Sequence, residues 1–102
     1  RIELSIDGRP VDLRVATLPG IGGGAGADRK NQNVPDVSAW ADYQPCAADV
    51  RSELVVLIRA GDEMLGEINV ASEGVSAFTD EDETAIQAIC DKLAEQITSE
   101  RR

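Results

Sequence analysis

The chain contains no histidine, and that absence removes several kinds of chemistry at once. His-ligated zinc, His-ligated haem and activation of a nucleophile by a neighbouring imidazole all require a side chain that an isolated domain of this sequence does not have. Cysteine is scarce. Cys46 and Cys90 stand far apart with no third partner, a pattern that suits reduced thiols better than a disulfide framework or a zinc cluster. Positive charge is outweighed, with 10 Lys plus Arg against 19 Asp plus Glu and a formal net charge of -9 over 102 residues. Such a balance argues against nucleic acid or an anionic membrane as partner. No apolar run approaches membrane-spanning length, and the chain opens on a strand pattern instead of a signal peptide, which points to a cytoplasmic protein. The length suits a single domain over residues 1–102 with one core.

What is present is organised around Val50 to Ser72. Leu54-Val55-Val56-Leu57-Ile58 is an unbroken apolar run rich in β-branched residues, as expected of a strand covered on both faces. The following stretch alternates: Gly66, Ile68 and Val70 on one face, Leu65, Glu67, Asn69 and Ala71 on the other. For the apolar sets to share a face, opposed residue numbers must sum to an even value. A three-residue loop, Gly61-Asp62-Glu63, meets that condition and sets Glu53, Val55 and Leu57 beside Ala71, Asn69 and Glu67.

Ahead of this hairpin, Ile2, Leu4 and Ile6 and then Val11, Leu13 and Val15 alternate with polar residues. A four-residue loop, Asp7 to Pro10, would pair Ile6 with Val11 and Leu4 with Leu13. Gly20 to Gly26 reads GIGGGAG. It satisfies a G-x-G-x-x-A pattern, but the residues that follow are too polar for a crossover helix and no parallel strand comes after it, so close backbone packing is the better reading than phosphate binding. Asn33 to Val37 reads as a short edge strand where Pro35 is tolerated, and Ser38 to Tyr43 as one helical turn with Ser38 as cap. After Ser72 the period changes to helical. Thr79 and Asp82 resemble a capping box, Asp80 to Glu83 complement the helix dipole, and Ile86, Ile89, Cys90, Leu93 and Ile97 form an apolar stripe. The acidic run lacks the glycine and late glutamate of a calcium loop, and no metal site is expected.

The arrangement VPDV, an aromatic turn ending in Tyr, then RSELVVLIR, GDEMLGEINV and AFTDEDETAI resembles the GAF domain. That resemblance implies an α+β fold, an antiparallel sheet of five or six strands with a C-terminal helix on one face and a small-molecule pocket on the other. The helix that usually precedes the first hairpin is missing. The resemblance also implies a homodimer through terminal helices. Within the family, the Cys46 loop and Ser52-Glu53-Leu54-Val55 are similar to free methionine-R-sulfoxide reductases. By that likeness Cys46 falls at the nucleophile and Glu53 is retained, whereas a second cysteine would fall at Gly22 and a substrate-binding aspartate pair at Asn69 and Ala71.

The candidate ligand-binding residues are Trp40, Tyr43, Cys46, Arg51, Glu53, Glu67 and Asn69. Glu53, Glu67 and Asn69 share one sheet face by register and could hold a hydrogen-bonding ligand or line a partly solvated surface. Trp40 and Tyr43 are spaced for one face of a turn, as a lid or as a plug at the sheet edge. Cys46 is a redox-active thiol, its pKa lowered by Arg51, or an inert small residue; without a resolving cysteine the inert reading weighs more. Arg51 serves the site or pairs with Glu53. A regulatory sensory domain binding a small molecule, inside a larger signalling or transcription-regulating protein, follows from this set. The alternatives are a thiol-dependent reductase using Cys46 and a ligand-free dimerisation module.

Overall fold

The apolar run at the centre of the chain forms the middle of a sheet. A computed structural model describes residues 2–6, 9–17, 30–39 and 49–100. Its strands are β1 (Ile2–Ile6), β2 (Arg9–Thr17), β3 (Gln32–Val34), β4 (Ser52–Ala60) and β5 (Glu63–Ser72), followed by one helix, α1 (Asp80–Glu100). All pairings are antiparallel and the order across the sheet is β1-β2-β5-β4-β3.

The central register is the expected one. Glu53 lies opposite Ala71, Val55 opposite Asn69 and Leu57 opposite Glu67. The turn that achieves it differs. Only Gly61 and Asp62 lie between the strands, and the missing odd residue is Leu65, which bulges where Ile58 pairs with Gly66 and Arg59 with Met64. Gly61, at φ 58°, takes the left-handed conformation that a glycine adopts without penalty. The bulge also corrects the face assigned to Leu65, which packs into the helix-side core with Ile68 and Val70.

In the first hairpin β1 runs to Ile6 and β2 starts at Arg9, with Ile6 opposite Arg9, so the register is not that of the expected four-residue loop. Leu4 therefore pairs with Val11 and Ile2 with Leu13. The slip from the expected pairing is by two residues, an even number, so the alternation keeps its face.

α1 lies over β4 and, to a lesser extent, β5. Its buried Ile86, Cys90 and Ala94 meet Leu54, Val56, Ile58, Ile68, Val70 and Phe78, with Leu13, Leu93 and Ile97 at the margin. Cys90 and Ala94 are small, which brings the helix axis close to the strand; the Cys90 thiol stands 3.7 Å from the Val56 carbonyl oxygen. Ile89, expected on the stripe, is 53% exposed because it sits on the flank turned away from β4. Val15 of β2 is likewise 54% exposed.

The helix begins as its sequence requires. The Thr79 N–H donates to the Asp82 carboxylate at 2.9 Å, and the Asp82 N–H donates to the Thr79 hydroxyl at 3.2 Å. This reciprocal pair satisfies two N–H groups that the helix leaves open. The connection before it is pinned by a buried serine: Ser52 Oγ donates to the Gly74 carbonyl at 2.6 Å and accepts from the Ala77 N–H at 3.3 Å. Ser76 in that connection has φ 53°, and its N–H donates to the Pro35 carbonyl at 2.8 Å.

The edge strand is shorter than its sequence suggested. β3 stops at Val34, and a single 3-10 turn occupies Val37–Ala39. Asp36, not Ser38, caps that turn, its carboxylate accepting from the Ser38 hydroxyl at 2.7 Å and the Ser38 N–H at 3.0 Å. These two bonds, the hydroxyl first, hold the Asp36 carboxyl below the ordinary aspartate range.

Candidate functional site

Because successive residues of a strand point to opposite sides, the same run that packs against α1 delivers Glu53, Val55 and Leu57 to the second face of the sheet. β5 adds Glu67, Asn69 and Ala71. This face is largely closed to solvent: Glu53 is 1% exposed, Glu67 7%, and Val55, Leu57 and Ala71 are buried, while Asn69 is half-buried. Val55, Leu57 and Met64 form its apolar part.

Three polar side chains are thus held on a buried surface, and their spacing decides what they can do. Glu53 and Glu67 are four pairs apart along the ladder, about 14 Å between backbones from the rise of a strand and the distance to its neighbour. That spacing does not place the two carboxylates side by side. Asn69 lies between them, next but one to Glu67 on the same strand and diagonal to Glu53 across the pair, at about 7–8 Å in each case. Glu53 and Glu67 each make an interaction within the protein. Among the described residues, Oδ1 of Asn69 is a buried side-chain oxygen that accepts no hydrogen bond.

Arg51 stands two residues before Glu53. It is exposed at the entry to β4, where its backbone N–H donates to the Ser72 carbonyl and its carbonyl accepts from the Val37 N–H. Trp40, Tyr43 and Cys46 lie outside the described residues, as does the Gly20 to Gly26 segment. Cys90 is on the wrong face for this site. It is fully buried under α1, and desolvation, with the neighbouring Asp91 charge adding to it, pushes its thiol up to about 11.

One residue that the sequence did not single out ties the sheet edge to the helix. Oδ1 of Asn31 accepts from the Leu57 N–H at 2.9 Å, while its Nδ2 donates to Gln87 Oε1 at 2.8 Å and Glu83 Oε2 at 3.3 Å. Asn33 adds a second tie, donating to the Phe78 carbonyl at 3.0 Å. The partners are dozens of positions away along the chain, so no local pattern announces them. Among the described residues, no group of three His, Cys, Asp or Glu side chains is placed to hold a metal ion, and no helix is long and apolar enough to cross a membrane.

A five-stranded antiparallel sheet closed on one side by a C-terminal helix, with buried acceptors on the other, defines an α+β domain of sheet-and-helix type. The family model for the GAF domain matches residues 6–97, and the chain belongs to that family. Among solved structures it is similar to the type II free methionine-R-sulfoxide reductase of Thermoplasma acidophilum, with 29% identity, a TM-score of 0.68 and coverage of 81% of this chain and 63% of that one. It is similar to the free methionine-R-sulfoxide reductase of Neisseria meningitidis in complex with its substrate, at 26% identity and TM-score 0.70, covering 76% of this chain and 46% of that one. A protein of Burkholderia vietnamiensis assigned as a GAF sensor shares 35% identity at TM-score 0.61, over 86% of this chain and 58% of that one. The chain therefore spans less than two thirds of each of these proteins. No curated protein matches it in sequence.

Proposed function

We propose that this chain is a regulatory, sensory GAF domain that holds a small molecule against the second face of the sheet. The observation that carries the reading is the Asn69 carbonyl oxygen, buried without a donor between two buried carboxylates. A ligand that offers an N–H or O–H to Asn69 and lays an apolar part on Val55 and Leu57 would complete that acceptor set. Binding would favour one placement of β4 and β5 over another, and a larger signalling or transcription-regulating protein would read the difference through α1. Membership of the GAF family and the likeness to an assigned GAF sensor support this reading.

The likeness to two sulfoxide reductases motivates a second reading, a thiol-dependent reductase using Cys46. Reducing a sulfoxide to a thioether takes two electrons: two thiols become a disulfide and the oxygen leaves as water. The chain has one other cysteine, and Cys90 is sealed beneath α1 with its thiol pushed up to about 11. The second thiol would have to come from outside, and the positions that match the family's aspartate pair hold Asn69 and Ala71. The sensory reading is therefore preferred.

Thermal denaturation against a panel of free amino acids, cyclic nucleotides and free methionine-R-sulfoxide tests both. A ligand at a hundred times its dissociation constant adds about 2.7 kcal/mol, a shift of about 10 °C or more for a domain of this size. The shift should vanish in Asn69→Leu. A panel that moves neither protein overturns the sensory reading. Turnover of methionine-R-sulfoxide with dithiothreitol, lost in Cys46→Ser, would establish the reductase.

A further inference from the structure

We propose that the Asn31 side chain is a coupling element that transmits displacement of β4 at Leu57 to α1 around Gln87. β3 is short, and its ladder with β4 ends where Gln32 pairs with Val55. Continuing the register would set Lys30 against Leu57. The Leu57 N–H is taken instead by the Asn31 side chain. Its other end does not return to the sheet but crosses to the helix, to Gln87 and Glu83. From Gln87 the chain of bonds continues along α1, since Gln87 Nε2 donates to Asp91 Oδ1 at 3.0 Å.

The chemistry specifies the residue. A carboxamide is the one short side chain that presents an acceptor and a donor from one rigid plane. Its orientation is set by its surroundings: reversed, it would aim Nδ2 at the Leu57 N–H, donor against donor. Because Oδ1 and Nδ2 are fixed relative to each other, a shift of Leu57 that draws Oδ1 with it displaces Nδ2 as well. The amide then carries Gln87 with it or breaks one bond. The side chain of Leu57 lies on the second face, opposite Glu67. A change of packing there reaches α1 through Asn31, on the far side of the sheet. This coupling holds whether or not that face binds a ligand, so its test perturbs the face by substitution.

The experiment is a double-mutant comparison by amide hydrogen exchange on the full chain. Leu57→Val alters packing on the second face. Amides of residues 83–91 of α1 should exchange faster by about twofold or more, the lower end of interaction energies between contacting residues, while amides of β5 change less. In the Asn31→Ala background the same Leu57→Val change should leave residues 83–91 where Asn31→Ala alone put them. Asn33→Ala, which removes the other tie to the helix entry without touching Leu57, should preserve the response. If the double variant fails to fold, Leu57→Met with Asn31→Asp gives the same comparison, because aspartate keeps the acceptor for Leu57 but has no donor for the helix. An α1 response that persists undiminished without Asn31, is lost equally in Asn33→Ala, or never exceeds that of β5 overturns the proposal.

Discussion

Asn69→Leu should make the ligand-free domain more stable. Among the described residues the Asn69 carbonyl oxygen is buried without a donor, and leaving a buried acceptor unsatisfied costs about 1–3 kcal/mol. Leucine has nearly the same shape, removes that penalty, and adds an apolar contact with Val55 directly opposite. A gain of about 1–2 kcal/mol is expected, and each kcal/mol raises the midpoint of a domain this size by about 4–8 °C. Urea titration followed by circular dichroism measures it: the midpoint should rise while the slope stays fixed. Asn69→Asp supplies the opposite sign. A carboxylate buried at that position would have its pKa raised, so its folded form is favoured when protonated, and the variant's stability should fall as pH rises through that value. A lower urea midpoint for Asn69→Leu would show that Oδ1 is already satisfied in the folded protein, and would remove the observation on which the ligand site rests.

Thr79→Ala breaks the reciprocal cap of α1 and should cost about 1 kcal/mol, seen as a lower urea midpoint; no change would mean that the tertiary packing of α1 overrides its cap. Ser76→Gly relieves a left-handed φ at a non-glycine residue while keeping the bond to Pro35, and should add about 0.5–1 kcal/mol of stability, read as a higher urea midpoint. In a Cys46→Ser background, Cys90 should resist Ellman's reagent at neutral pH until the protein is unfolded, since its thiol is buried and raised from 9.0 to about 11. The linkage has a defined sign: a raised folded value adds stability that is complete below pH 9 and lost as pH rises toward 11. Cys90→Ala should remove that alkaline loss, which a pH series of urea midpoints would show.

The two faces of the sheet were legible from parity alone. The period of two in β4 and β5 separates Leu54, Val56 and Ile58 from Glu53, Val55 and Leu57, and an even sum across the hairpin assigns the partners. Parity does not reveal how the odd residue is absorbed. A three-residue loop and a two-residue loop with a bulge have the same sum, and the choice fell on Leu65 because its side chain gains a place in the helix-side core. In the first hairpin the Asp7-Gly8 dipeptide suits a two-residue turn as well as Asp7 to Pro10 suits a four-residue loop, and alternation alone does not choose between registers two residues apart. The apolar spacing along the helix predicts a stripe one residue wider than the face that is buried. Ile89 has the right spacing, but small Cys90 and Ala94 narrow the contact so that the flank stays outside. Asn31 was not legible at all, for its role depends on Leu57 and Gln87, which only the folded sheet brings to it.

Residue parity in β4 then sorts the consequences of substitution. An even-numbered change at Leu54, Val56 or Ile58 opens a void against α1, where large-to-small replacements cost about 2–5 kcal/mol and the fold itself is at stake. An odd-numbered change at Glu53, Val55 or Leu57 acts on the second face, where two buried carboxylates and Asn69 lie beside an apolar patch of Val55 and Leu57. The contrast is sharpest at Leu57, whose side chain belongs to the second face while its N–H is held by the one amide that also holds α1. A single residue thereby belongs to both layers, by side chain to one and by backbone to the other. Under the proposed coupling, that arrangement would let a domain with a closed core report on its opposite face without opening the core to do so.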